Sequence, residues 1–442
     1  MKSTPLGFKK WVAFLLAGLV GQLALAIENN YLNLYVFSAS HDYSFITTMT
    51  VLSAVAATIT TLFIGALSDK LGKRKLFVSI GYILWGISII LFAFLDPTSK
   101  VTIVANSGFL AGVMIVIMDC VMTFFGSTAN DACFNASIND HTDSSNRKTV
   151  ESVLATLPLF SMIIVTVVGG VFGVGSTEGV VHWDYFFYLF GGLTLLIGVL
   201  CLVLYPKDNC ESHPDEKYMY NLVYGFRPQV VKDNKNLYLS LIAFLIFNTA
   251  IQCFMPYFMI YIQRGLGIVD IENGPANFTV TLGIVLVVAS IITIVVGIFM
   301  NKIKFNILSL SALGVGVTGA IIMCLVKDQI GVICGGIILM TGYLVSTAIL
   351  SAKIRDNIPH GREGSFQGVR MIFVVMLPMV IGPYLGLAAS HINEILYVDE
   401  TYGNISTQPN QYIFLFSAII MLLVLIQLFI LMKREKDGQT SK

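Results

Sequence analysis

GALSDKLGKRK, residues Gly65 to Lys75, gathers Lys70, Lys73, Arg74 and Lys75 around Asp69 and two glycines, Gly65 and Gly72, and does so between two long apolar runs. Charge this dense cannot enter hydrocarbon, and the runs on either side have no other use for their apolar length, so the stretch reads as a short charged hinge between two membrane helices. An ordinary positive-inside loop would account for its charge equally well.

The rest of the chain agrees with a membrane setting. Of 442 residues, 56% are hydrophobic and 12% charged, and the mean hydropathy is +0.79. A soluble globule carries about 25% charged residues, so this is a polytopic membrane protein with lipid as its surrounding partner. A net charge of +1 gives no basic stripe for nucleic acid. The seven cysteines, Cys120, Cys133, Cys201, Cys210, Cys253, Cys324 and Cys334, show no C-x-x-C or Cys/His spacing. They read as small buried hydrophobes without a disulfide or metal role. The N-terminus, with Lys9, Lys10, an apolar run and Ala24-Leu25-Ala26, imitates a signal peptide. Removing it would leave an odd number of spans, so it is expected to stay as the first helix.

A span needs about 20 apolar residues, and twelve are expected, at 11–37, 45–67, 76–95, 103–137, 149–173, 185–205, 237–262, 277–300, 305–326, 329–351, 369–390 and 412–432. The fourth is too long for one straight crossing, so it begins late, near Val113, or projects into the cytoplasm. With the N-terminus inside, 24 of the 27 lysines and arginines fall on inner segments and only Lys100, Arg264 and Lys327 on outer ones. The positive-inside rule reads this as both termini cytoplasmic. The polar stretch 206–236 divides the helices six and six, giving an N-terminal bundle over 1–205, a linker, and a C-terminal bundle with its tail over 237–442. Parallel six-helix halves produce this order. An internal echo supports duplication: INDHTDSSNRKTVESV after the fourth span resembles IRDNIPHGREGSFQGV after the tenth, aligning Asp140 and Arg147 with Asp356 and Arg362.

Ionisable groups inside spans cost at least about 2.5 kcal/mol, so each is a functional candidate. Glu28 lies in AIENNYLNLYVF, and Glu28, Tyr31 and Tyr35 stand at i, i+3 and i+7 on one helical face. That face offers a carboxylate and two hydroxyls to a solute or a proton, unless Glu28 is simply solvated near the outer interface. The fourth span ends in GSTANDACFNASIND, where Asn130, Asp131 and Asn135 lie among small residues. Asp131 and Asn135 are one turn apart, suited to a polyol or a cation, or else they form the polar inner end of a long helix. Asp119 is deep or near the outer end according to where that helix starts. In the second half, Asn248 and Gln252 are one turn apart ahead of Pro256-Tyr257, a kink suited to a gating helix. Arg370 opens the eleventh span and either pairs with an acid or snorkels to the inner face.

The loop GALSDKLGKRK, the run STANDACFNASIND and the segment EGSFQGVRMIF from Glu363 to Phe373 together resemble the major facilitator superfamily. Within it they are similar to the glycoside-pentoside-hexuronide:cation symporters and the sucrose/proton symporters. The resemblance implies an all-α fold of twelve membrane helices in two six-helix bundles. It also implies a rocker-switch transporter driven by a cation gradient, with a small solute as partner. It implies an inner gate in which Asp69 caps the start of the eleventh helix near Gln367, Gly368 and Arg370. Gly65, Gly72 and Arg74 would shape that gate, and Asp140, Arg147, Asp356 and Arg362 would add pairs to it. Melibiose-type members bind sodium through acids on the second helix, whereas Thr58, Thr60 and Thr61 stand there and no acid does. A proton taken by Glu28 or Asp131 is therefore the expected coupling ion, because an acid in a low-dielectric site holds its proton more readily.

The expected function is alternating-access symport of a sugar or other polyhydroxylated solute with a proton, less readily sodium, by a monomer in the cell membrane. The alternatives are an exporter of drugs or amphiphiles, a lipid flippase, and a transport-dead sensor or scaffold. No nucleophile/base spacing, phosphate loop or metal cluster points to an enzyme, and no cofactor beyond the coupling ion is expected.

Overall fold

A computed structural model describes residues 7–96, 103, 107–142, 150, 153–154, 156–176, 181–208, 225–271, 275, 277–299, 303–358 and 363–440. Among them eleven helices are long and apolar enough to cross a membrane, and a twelfth, Leu157–Val171, is apolar but shorter. In chain order they are α1 (Phe8–Ser40), α2 (Ser44–Leu71), α3 (Arg74–Phe92), α4 (Gly108–Ile138), α5 (Leu157–Val171) and α6 (Trp183–Leu204). After a short helix, Pro228–Asp233, come α7 (Lys235–Gly265), α8 (Asn277–Phe299), α9 (Phe305–Leu325), α10 (Gln329–Asn357), α11 (Gly368–Ser390) and α12 (Tyr412–Arg434). The chain is thus an all-α membrane protein.

Local chemistry sets the boundaries. At the hinge, α2 ends on Gly72, whose φ of 61° is left-handed and whose N–H closes on the Ser68 carbonyl at 2.9 Å. Glycine adopts that backbone without a Cβ penalty, which is why the motif needs one there. The fourth helix starts at neither of the expected places: the Ser107 hydroxyl accepts from the Leu110 N–H at 3.2 Å and caps it at Gly108.

Among the described residues, four of the helices carry a widened π turn. In α1 the N–H of Leu32 reaches Ile27 O, in α4 that of Asn135 reaches Asn130 O, in α7 that of Leu266 reaches Tyr261 O, and in α11 that of Leu377 reaches Ile372 O. Each bond runs five residues back, not four, and such turns concentrate at functional positions.

The chain forms two compact units. The first comprises Met1–Glu216 with Asp270–Gly274 and Val398–Ser406; the second comprises Lys217–Val269, Pro275–Tyr397 and Thr407–Lys442. In the first, α3 and α6 cross at Gly86 and Gly191, where a Cβ on Gly86 would stand 2.7 Å from the Gly191 carbonyl. Small residues at a crossing let two membrane helices approach closely. Toward one end of the same unit Tyr35, Phe92, Trp183, Phe186 and Phe187 pack edge-to-face, tilted or stacked, with ring centroids 4.8 to 6.1 Å apart. In the second unit α9 and α10 meet at Gly316 and Gly342, and α7 packs on α12 through Phe254, Phe258, Tyr261 and Phe414.

Two features lie outside the sequence reading. A two-stranded hairpin, β1 (Leu396–Val398) and β2 (Ile405–Thr407), interrupts the helices after α11. Its residues 398–406, although they come from the second half of the chain, fold into the first unit, as does the segment 270–274. The cysteine reading also needs correction: Cys133, Cys201 and Cys253 are buried, but Cys334 is exposed, and Cys210 lies outside the described residues.

Candidate functional site

The polar groups of the first unit meet where α1 and α4 carry their π turns. A π turn leaves backbone carbonyls without their usual partners, and α1 answers with its asparagines. The side-chain amide of Asn29 donates to Leu25 O at 3.0 Å, that of Asn30 to Ala26 O at 3.1 Å, and that of Asn33 to Asn29 O at 3.1 Å. The asparagine-rich run therefore stabilises a distorted backbone.

Glu28 sits inside this turn and points to α4, where the Thr123 hydroxyl donates to its Oε1 at 2.6 Å. One turn earlier on α4, Asp119 is 1% exposed, and its Oδ1 has no hydrogen-bond partner among the described residues. The Glu28 carboxyl acts on it electrostatically, and Ser53 of α2 hydrogen-bonds the Asp119 carboxyl. One turn beyond Thr123, the Ser127 hydroxyl donates to Asp131 Oδ2 at 2.9 Å, while the Asn130 amide donates to Asp131 Oδ1 at 3.1 Å. Tyr82 of α3 closes the group, donating to Ala17 O at 2.8 Å with Asn130 Oδ1 at 3.4 Å. Gly21 of α1 makes room for both, since a Cβ there would lie 2.6 Å from the Tyr82 hydroxyl and 2.7 Å from Asn130 Oδ1.

The structure brings together Glu28, Asp119, Asn130 and Asp131 and leaves other candidates elsewhere. Tyr31 and Tyr35 do not share the Glu28 face, because the π turn between Ile27 and Tyr31 rotates them away. Tyr31 packs on Phe186, its ring centroid 5.6 Å away, and the Tyr35 hydroxyl donates to Phe92 O at 2.6 Å. Both are core residues at most 2% exposed. Asn135 is exposed, and its amide meets the Asp131 backbone oxygen at 3.4 Å instead of the carboxylate.

Sequence reasoning missed Thr123, Ser127 and Tyr82. The signal was present: Asp119, Thr123, Ser127 and Asp131 repeat every fourth residue in an otherwise apolar helix. In a regular α-helix each such step overshoots one turn by about 40°, and the widened turn at Ser127–Phe134 absorbs part of that drift.

At the end of the same unit where α2 turns into α3, Arg74 Nε pairs with Asp140 Oδ2 at 2.6 Å. Burial pushes the Asp140 carboxyl up, against the pull of Arg74 and His141. His141, another residue the sequence did not single out, has Nδ1 2.8 Å from Ser137 O and Nε2 3.0 Å from Lys207 O, and its ring meets Phe14 edge-on. Lys75 adds two bonds, its N–H to Asp208 Oδ1 at 2.7 Å and its Nζ to Tyr205 O at 2.9 Å. The expected gate residues Arg147 and Arg362 lie outside the described residues, as do the side chains of Asp69 and Gln367. Gly65 takes part through its carbonyl, which accepts from the Ser68 hydroxyl at 2.9 Å.

In the second unit the Asn248 amide donates to Val374 O at 2.6 Å, within the π turn of α11. Gln252 packs against Gly382 of the same helix, and the Tyr257 hydroxyl reaches Pro383 O at 3.0 Å. Pro256 lies within the helical run of α7, whose irregularity comes just after it at Tyr261–Gly265. Arg370 is partly buried with no ion pair among the described residues, and Asp356 is exposed at the end of α10.

The Major Facilitator Superfamily profile matches residues 11–383, and the chain belongs to that superfamily. It is a multi-pass membrane transporter, not an enzyme. Solved structures share the fold at low identity. The D-xylose-proton symporter is 13% identical with a TM-score of 0.71, covering 95% of this chain and 97% of that one. The nucleoside transporter NupG is 12% identical with a TM-score of 0.67, covering 97% and 99%. A bacterial homologue of the human lysosomal transporter Spinster is 10% identical with a TM-score of 0.66, covering 96% and 97%. No curated protein matches the sequence.

Proposed function

We propose that this transporter moves a sugar or another polyhydroxylated solute together with a proton, by alternating access, as a monomer in a cell membrane with both termini cytoplasmic. The observation that carries the reading is Glu28, a carboxyl in a membrane helix held by the Thr123 hydroxyl at 2.6 Å. Among the described residues it makes no ion pair with a lysine or arginine. A carboxyl placed there is costly unless it is used. Hydroxyl and amide groups around Asn130 and Asp131 offer the hydrogen bonds a hydroxylated solute exchanges for water. The part of α2 from Ile46 to Leu67 carries Thr58, Thr60 and Thr61 and no acid, which favours a proton over sodium. The resemblance to the glycoside-pentoside-hexuronide:cation branch and the fold shared with a D-xylose-proton symporter point the same way. The Arg74–Asp140 pair acts as part of an inner latch, tying the start of α3 to the end of α4.

Uptake into proteoliposomes tests this. Across a panel of radiolabelled sugars and nucleosides, an inward proton gradient should drive accumulation of at least one solute, a sodium gradient should not, and Glu28→Gln should abolish the accumulation. Uptake indifferent to both gradients for every solute would overturn it, and dye efflux that depends on the protein would support the exporter alternative.

A further inference from the structure

Thr123 brings Glu28 of α1 and Asp119 of α4 to the same stretch of α4. Thr123, which donates to Glu28 Oε1 at 2.6 Å, stands one turn from Asp119 on the same face of α4. Asp119 is 1% exposed and its Oδ1 is buried without a partner among the described residues. An orphaned carboxylate oxygen in a low-dielectric interior is costly, and a proton on one member of a close carboxyl pair removes that cost, because two like charges cannot both persist there. Asp131 differs: its two oxygens already accept from Ser127 and Asn130. Thr123, Ser53, Cys120 and Asp131 are among the groups that act on the pair, and neither carboxyl makes an ion pair with a lysine or arginine among the described residues.

We infer that Glu28 and Asp119 form one proton site, two carboxyls from α1 and α4 holding a single exchangeable proton, and that this pair, not Asp131, is where the coupling ion binds. This rests on the symport reading above. The step is a proton transfer alone: an O–H bond forms on a carboxylate oxygen as hydronium releases its proton, and it breaks when water on the other side of the membrane takes the proton. Thr123 orients Glu28, and Asp119 supplies the second oxygen pair. Nothing is oxidised or reduced.

Infrared difference spectroscopy on the purified full chain, titrated from acid to base without solute, reads the pair directly. One carboxylic-acid carbonyl band should bleach with release of one proton. The band should move in frequency and titrate at a different pH in Asp119→Asn and in Glu28→Gln, and it should stay where it is in Asp131→Asn. Melting curves of each variant show whether it is folded. If Asp119→Asn does not fold, Asp119→Glu keeps a carboxyl and should shift the band. A band unchanged in frequency and proton count in the Asp119 variants overturns the inference, as does a band that sodium chloride bleaches at constant pH. Wild-type uptake that ignores a pH gradient would sink the symport reading, while the band tests the pair on its own.

Discussion

Thr123 is the residue on which the candidate site turns, since its hydroxyl fixes where the Glu28 carboxyl points. A hydrogen bond to a charged or ionisable partner is worth about 1.5–3 kcal/mol, and 1.4 kcal/mol is about tenfold in rate. Thr123→Val, which keeps the shape, should therefore slow proton-driven uptake by about tenfold or more, and Thr123→Ser should restore most of it. Uptake by the valine variant at the wild-type rate would show that Glu28 needs no such partner. Gly21 is a second sensitive residue. Alanine there meets the Tyr82 hydroxyl and Asn130 Oδ1 inside van der Waals range, and overpacking of this kind costs about 1–3 kcal/mol. Its melting temperature should fall, and Gly21→Ala combined with Tyr82→Phe should recover only part of the loss, because Asn130 still crowds the new methyl. Full recovery in the double variant would mean that Asn130 yields freely.

Among the elements, the hairpin of β1 and β2 shows most clearly how a segment from far along the chain is held. His41 Nδ1 lies 2.7 Å from Asp399 Oδ1, the Asn404 amide donates to Ser40 O at 3.0 Å, and the Tyr43 N–H donates to Ser406 Oγ at 3.3 Å. Burial of Asp399 opposes its charge. The hydrogen bond from His41 and those from the Tyr402 and Thr401 N–H groups outweigh burial and hold the carboxyl below the usual carboxylate range. A carboxyl lowered on folding adds stability that is present above its unfolded value and is lost as pH falls through the folded one. Amides of 398–406 should thus exchange slowly at neutral pH and faster as the medium becomes strongly acidic. In Asp399→Asn they should already exchange faster at neutral pH and change less with acid. Equal protection in both proteins at neutral pH would remove the carboxylate from this role.

The crossing of α3 and α6 makes a complementary case of pure packing. Gly86→Val would force a branched side chain against the Gly191 carbonyl and the backbone at Leu195. The melt should drop by more than Gly192→Ala lowers it, since nothing lies within 4 Å of a Cβ at Gly192. Similar losses at both positions would contradict the close approach.

For the whole molecule, the division at Glu216 and Lys217 separates two bodies with their own cores, yet Asp270–Gly274 and Val398–Ser406 belong to the first. The Asp270 N–H, for one, donates to Gly175 O at 2.9 Å. A fragment of residues 1–216 alone lacks both segments. It should express and melt lower than the same fragment co-expressed with 217–442, and co-purification of the two pieces would show that the second supplies what the first is missing. Equal stability of the fragment alone and with its complement would show those segments to be dispensable.

Composition and patterning alone determine that the chain is a membrane protein, how many spans to expect, and the duplicated charged loops. They also determine the acids stranded in apolar runs, because transfer of each residue between water and hydrocarbon depends on that residue and its near neighbours. The left-handed glycine at the hinge is legible for the same reason. Which polar groups meet is not local. Tyr31 and Tyr35 share a face with Glu28 only on a regular helix, and the π turn breaks that register. Thr123 finds Glu28 only because α1 and α4 pack at a particular rotation. The hairpin residues find His41 across more than 350 positions. Those choices follow from which packing leaves the fewest buried groups unsatisfied, a property of all the helices together that only the tertiary structure decides.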